Sequence, residues 1–193
     1  MLLSTAYLPP VSFFSKIAAT DVFLLEKHEH FVKQTCRNRC YIYGANGIQT
    51  LSIPLINTHE KIAVSEKRIA YGDSWQKLHW RSICSAYGNA PFFIYYKDEL
   101  APFYEQKFDL LFDYNTALLN TLLSMLGLSK EIRFTVEYEK NVKDDFRDLD
   151  QAVPPLKKYH QVFSDKNGFI PNLSIIDLLF NTGPEAKDFL IGV

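Results

Sequence analysis

The strongest constraint on this fold lies in the first 25 residues. Leu2 to Tyr7 has the length and apolar content of a short buried strand. Pro9 and Pro10 then stop it, because proline lacks an amide donor and fixes φ. Val11 to Ala19 restarts as a helix, with Val11, Phe14, Ile17 and Ala18 on one face. Val22 to Leu25 is again a strand-length apolar run. Strand, helix and strand at this spacing predict a parallel crossover, and so an α/β architecture opening on a Rossmann-like βαβ unit.

The rest of the chain adds a β-hairpin and a largely helical second half. Asn46-Gly47 suits a type I′ turn, whose two central residues both need positive φ. Arg39 to Tyr43 precedes that turn. Gln49 to Leu55 follows it, with Leu51, Ile53 and Leu55 alternating up to Pro54. Ile62 to Ile69 is expected to be a further strand. Asp73 with Gln76 resembles a capping box for a helix running to Tyr87, with Trp75, Leu78, Ile83 and Tyr87 as its core stripe. A short helical stretch follows Pro91. Phe108 to Leu126 is expected to be the longest helix, closed by Gly127. Ile132 to Val136 reads as a strand, and Lys140 to Leu156 as an exposed loop that could serve as a lid. Asn172 suits the N-cap of a helix over Leu173 to Phe180, and Gly183-Pro184 opens a last short helix. No linker divides the 193 residues, so one domain over 1–193 of α/β (or α+β) class is expected.

Composition narrows the function classes. A net charge of -1 disfavours a dedicated nucleic-acid binder. The uncharged stretch from Met1 to Ser15 lacks a basic leader, and Lys16 comes too early for a membrane span. Cys36, Cys40 and Cys84 form no disulfide framework and suggest reduced thiols in the cytoplasm. Cys36 and Cys40 have no second Cys or His pair at zinc spacing, so no metal site is expected. P-loop, G-x-G-x-x-G and G-x-S-x-G patterns are absent.

Several blocks along the chain resemble the WbqC-like family. They are Tyr7-Leu8-Pro9-Pro10 with Phe13-Phe14 and Asp21-Val22-Phe23, then Lys33-Gln34-Thr35 with Arg37-Asn38-Arg39. Leu51-Ser52-Ile53-Pro54 follows, then Trp75, His79, Tyr87 and Ala90-Pro91-Phe92-Phe93, and finally Leu173 to Asn181. One departure is the Ala6-Tyr7-Leu8-Pro9-Pro10 opening, where many members carry Gln-Pro and an aromatic-Pro turn. The resemblance implies a role in bacterial surface polysaccharide (O-antigen) biosynthesis, and it implies a pathway more than a reaction.

The candidate site is the segment Lys33 to Arg39. Lys33, Arg37 and Arg39 could hold the phosphates of an activated donor, since guanidinium forks match such oxygens. If a strand begins at Arg37, both arginines share a face and Asn38 turns away to satisfy backbone. Alternatively these arginines pair with carboxylates such as Asp21 or Glu26. Tyr7, in the opening block, joins the ligand-contacting candidates. His28, His79 and Asp177 are the candidate acid–base groups, each with an ordinary reading as a surface or hydrogen-bonded core residue. Two functions follow: a transferase using a nucleotide-sugar, acyl or aminoacyl donor, or a non-catalytic binding or scaffold protein with a protein partner or a second copy. No cofactor is assigned.

Overall fold

The computed structural model describes residues 1–57, 60–148 and 157–191. Leu2–Ser4 (β1) and Val22–Glu26 (β2) are parallel neighbours with Leu2 opposite Leu24, and Val11–Ala18 (α1) crosses between them. The expected βαβ unit is therefore present, although β1 ends before Tyr7. Arg39–Gly44 (β3) and Gly47–Ser52 (β4) form a separate antiparallel hairpin. Trp75–Tyr87 (α2), Phe93–Leu100 (α3) and Leu111–Met125 (α4) follow. Glu131–Phe134 (β5) and Asp145–Phe146 (β6) complete a four-stranded parallel sheet of order β5-β2-β1-β6. Ser164–Asn167 (α5), Ile175–Thr182 (α6) and Ala186–Ile191 (α7) end the described chain. This is the expected mixed α/β architecture, with one hydrophobic core shared by the sheet, the hairpin and the helices.

Several local expectations shift. Gly44 pairs with Gly47, so the hairpin loop is Ala45-Asn46, one residue earlier than expected. Positive φ falls on Gly47 (+104°) and on neither loop residue, so the turn is not type I′. Ile62 to Ile69 is not a strand; it holds a 3-10 turn at Val64–Glu66. Its amides go to separate segments (Val64 to the Glu29 carbonyl, Ile69 to Asp109, Ala70 to Pro54), so no continuous ladder can form. The capping box at Asp73 does not form either. Gln76 instead donates to the carbonyls of Phe103 and Gln106, at 3.1 and 2.6 Å. Leu78 is exposed, and His79 takes its place in the stripe, because the i, i+4, i+8 row runs Trp75, His79, Ile83.

The polar stretch after Lys140 also departs from a plain loop. β6 lies within it and pairs with β1, with Leu2 opposite Asp145. A buried central strand needs partners for both rows of its backbone groups, and β6 supplies the second row. Residues 149–156, the rest of the expected lid, lie outside the described residues. Asn172 caps a helix, but not its own. Its Oδ1 accepts from the Ser12 amide in the first turn of α1, at 2.9 Å, while Ser174 occupies the N-cap of α6. Among the described residues, no helix is long and apolar enough to cross a membrane.

Candidate functional site

The segment Lys33 to Arg39 is clamped from three sides. The Cys36 carbonyl accepts from the Tyr7 amide at 2.9 Å. Asn38 pairs with Ile53 twice: its carbonyl accepts from the Ile53 amide at 2.8 Å, and its Nδ2 donates to the Ile53 carbonyl at 2.9 Å. The Arg37 carbonyl accepts from Asn115 Nδ2 of α4 at 2.8 Å. A turn with Gln34 at φ +60° precedes these contacts. β3 begins at Arg39, so the strand alternation expected to align Arg37 with Arg39 does not reach Arg37.

The two arginines therefore serve different places. Arg37 is buried and pairs with Glu29, Nε to Oε1 at 2.9 Å and Nη2 to Oε2 at 2.5 Å. Its partner is neither Asp21 nor Glu26. Ser4 Oγ also bonds Glu29, and Glu26 lies fully buried nearby, bonded by Thr135, the Glu139 amide and Arg147. Arg37 thus borders a crevice with Ser4, Thr5 and Arg147, with room for about one water molecule. That crevice lies where β1 and β6 diverge at their carboxyl ends, the place where the sheet's connection order reverses.

On the other side of the segment opens a cleft of about 360 Å³. Lys33, Arg39 and Lys67 line it together with Phe31, Gln34 and Asn38, and among the described residues none of its lining is acidic. Arg39 Nε donates to the Ser52 hydroxyl, at 3.1 Å, which fixes the guanidinium across the hairpin. Lys67 is buried, donates to the Ile56 carbonyl at 2.8 Å, and lies 5.5 Å from the Phe31 ring centre. Burial first, and the neighbouring Lys33 second, lower its pKa. A desolvated cation inside a cleft marks a candidate functional site. Sequence reading missed Lys67, because it lay inside a stretch read as a strand, and it missed Glu29 between the two histidines.

The other candidates are engaged elsewhere. Tyr7 is fully buried; its hydroxyl meets His79 Nδ1 at 2.9 Å and the Tyr104 hydroxyl at 3.1 Å. His79 packs against the Tyr7 and Trp75 rings, and burial lowers its pKa to about 4 against a weaker opposing bond to the Ser52 backbone. His28 contacts the Thr135 carbonyl through Nε2, at 3.2 Å. Asp177 is buried on α6, where Tyr159 and Gln161 both donate to Oδ2 at 2.7 Å, and desolvation raises its pKa. None of these four residues lines the cleft. No group of His, Cys, Asp and Glu suited to a metal ion occurs among the described residues, and no disulfide joins the three cysteines.

A small parallel sheet, a hairpin and a cleft lined by Lys33, Arg39 and Lys67 place the chain in the mixed α/β class. The chain belongs to the WbqC-like protein family, whose profile matches residues 5–153 and 146–189. It is also similar to Uncharacterized protein Rv1507c of Mycobacterium tuberculosis (strain ATCC 25618 / H37Rv), at 29% identity over 98% of this chain and 96% of that protein. No solved structure gives a significant match.

Proposed function

We propose that this protein binds a phosphate-bearing activated donor of bacterial surface polysaccharide (O-antigen) biosynthesis, and presents it for group transfer. The observation that carries this reading is the convergence of Lys33, Arg39 and buried Lys67 on one cleft, with no carboxylate in its lining among the described residues. Arg39 supplies a planar fork and the two lysines supply point charges, a set that suits a diphosphate or another dianion. The pathway comes from the family. Three cysteines with no disulfide among them fit a reducing, cytoplasmic setting.

A second reading, a binding or scaffold protein with no chemistry of its own, is favoured by one observation. His28, His79 and Asp177 all spend their polar atoms inside the fold rather than on the cleft.

A thermal-shift screen with nucleotide-sugars, CoA esters and inorganic pyrophosphate tests the anion site. A ligand at one hundred times its dissociation constant stabilises by about 2.7 kcal/mol, a shift of several degrees. The expected result is a shift with one phosphate-bearing class that disappears in Lys67→Met and in Arg39→Ala. No shift with any of them rejects the anion site. Binding without turnover of the bound donor, in the presence of sugar acceptors, selects the second reading.

A further inference from the structure

β5 forms one edge of the parallel sheet, and its four residues are exposed except for half-buried Ile132. The hydrogen-bonding side that faces away from β2 can be read from its alternation. The Glu131 amide donates to the Asp21 carbonyl at 2.9 Å and the Thr135 amide to the Leu25 carbonyl at 3.1 Å, both toward β2. Residues of even number therefore turn their N–H and C=O groups outward, so Ile132 and Phe134 present a free strand edge. Two large apolar side chains lie exposed beside it, Phe134 at 43% and Val136 at 87%, and a groove of mixed polar and apolar lining that includes Leu110, Phe112 and Asp113 runs beside Phe134. The edge is short and carries Glu131 and Arg133, which repel most partners but can match a complementary one, and it has no proline and no bulge among the described residues.

We propose that the partner of this edge is β5 of a second copy, paired antiparallel across a two-fold axis at Ile132. Charge complementarity selects both the partner and the register. An antiparallel partner must set outward residues opposite outward residues, which leaves four symmetric registers centred within the strand, and the one centred on Glu131 sets Glu131 against its own copy. A register centred on Arg133 sets Arg133 against its own copy. One centred on Phe134 sets Glu131 against Glu137. The register centred on Ile132 sets Glu131 against the second copy's Arg133 and the reverse, in the non-hydrogen-bonded positions where side chains come closest. Glu131 and Arg133 already share one face, joined at 2.7 Å within the strand. On pairing, two such pairs close into a ring of four alternating charges. Ile132 meets its own copy on the other face, and the two sheets become one sheet of eight strands.

Sedimentation of the full chain over a concentration series tests the proposal, with circular dichroism as the check on folding. The wild type is expected to dimerise. Arg133→Glu places like charges opposite each other twice, and should weaken dimerisation by about tenfold or more. Reversing both residues, Glu131→Arg with Arg133→Glu, restores the complement and should restore the dimer. Ile132→Pro removes an outward amide and trims a half-buried side chain, leaves the ladder to β2 intact, and should give a monomer that circular dichroism shows to be folded. A wild type that stays monomeric overturns the proposal. So does an Arg133→Glu variant that dimerises as well as the wild type, or a double reversal that fails to recover. None of these outcomes touches anion binding at Lys67.

Discussion

His79 shows how a single residue's chemistry is set by what surrounds it. Its ring is pressed between Tyr7 and Trp75, so protonation would strand a cation in an aromatic core. The folded-state pKa therefore falls from 6.5 to about 4. Between those two values the unfolded chain binds more protons than the fold. Stability then rises with pH from about 4 to 6.5, and acidification through that window costs about 3 kcal/mol. Across pH 4 to 7 the urea midpoint of the wild type should gain on that of His79→Leu as pH rises, by an amount equivalent to about 3 kcal/mol. Asp177 acts with the opposite sign. Its raised pKa means that stability falls as pH rises from 3.8 through the folded value, so the comparison must be between variants and not on the wild type alone. Sequence singled out His79 but left its role open. The stripe Trp75, His79, Ile83 decides it, and Leu78 could have been excluded only by knowing which face of α2 is covered.

At the scale of elements, Asn172 illustrates a capping residue that serves another helix. Its αL backbone, φ +55°, turns the chain so that Oδ1 reaches the Ser12 amide 160 residues away. Asn172→Gly keeps that backbone freedom and removes the acceptor. It should cost about 1 kcal/mol in chemical denaturation, the usual worth of a cap. Asn172→Ala should cost more, because alanine also strains at positive φ. The amide was legible as a cap; its client was not, because capping by sequence proximity assumes the next helix. Gly127 was read correctly. At φ +62° it lets its own amide and that of Leu128 bond back to Ser124 and Leu123, closing α4. Ile62 to Ile69 was misread for a converse reason. Its apolar residues meet the core one at a time, while its backbone is shared among three distant segments.

Across the whole molecule, buried charge ties the sheet's carboxyl edge together. Ser4 follows from β1, Glu26 from β2, Arg147 from the end of β6, and Glu29 and Arg37 from the segment between β2 and β3. Removing Arg37 leaves Glu29 buried with an uncompensated charge, so Arg37→Ala should destabilise by about 3–5 kcal/mol. Replacing the pair together, Arg37→Met with Glu29→Leu, should recover most of that loss, since the pair itself must offset its own desolvation. Thermal or urea unfolding of the wild type and the two variants checks both statements. Neither variant should abolish anion binding, because Arg37 faces away from the cleft of Lys33, Arg39 and Lys67.

By itself, the sequence determined the local events. The parallel βαβ start, the hairpin and the long α4 with its glycine stop follow from apolar periodicity and turn chemistry, which act over a few residues. Tertiary structure decided what those residues meet. Arg37 and Arg39 lie two apart, yet one closes on Glu29 inside the fold and the other opens on the cleft, because β3 begins between them. Lys67 joins the cleft from 28 residues further on, with no local pattern to announce it. Electrostatic partnership and burial depend on distance through space, and a one-dimensional pattern carries that distance only where the chain folds back on itself at once.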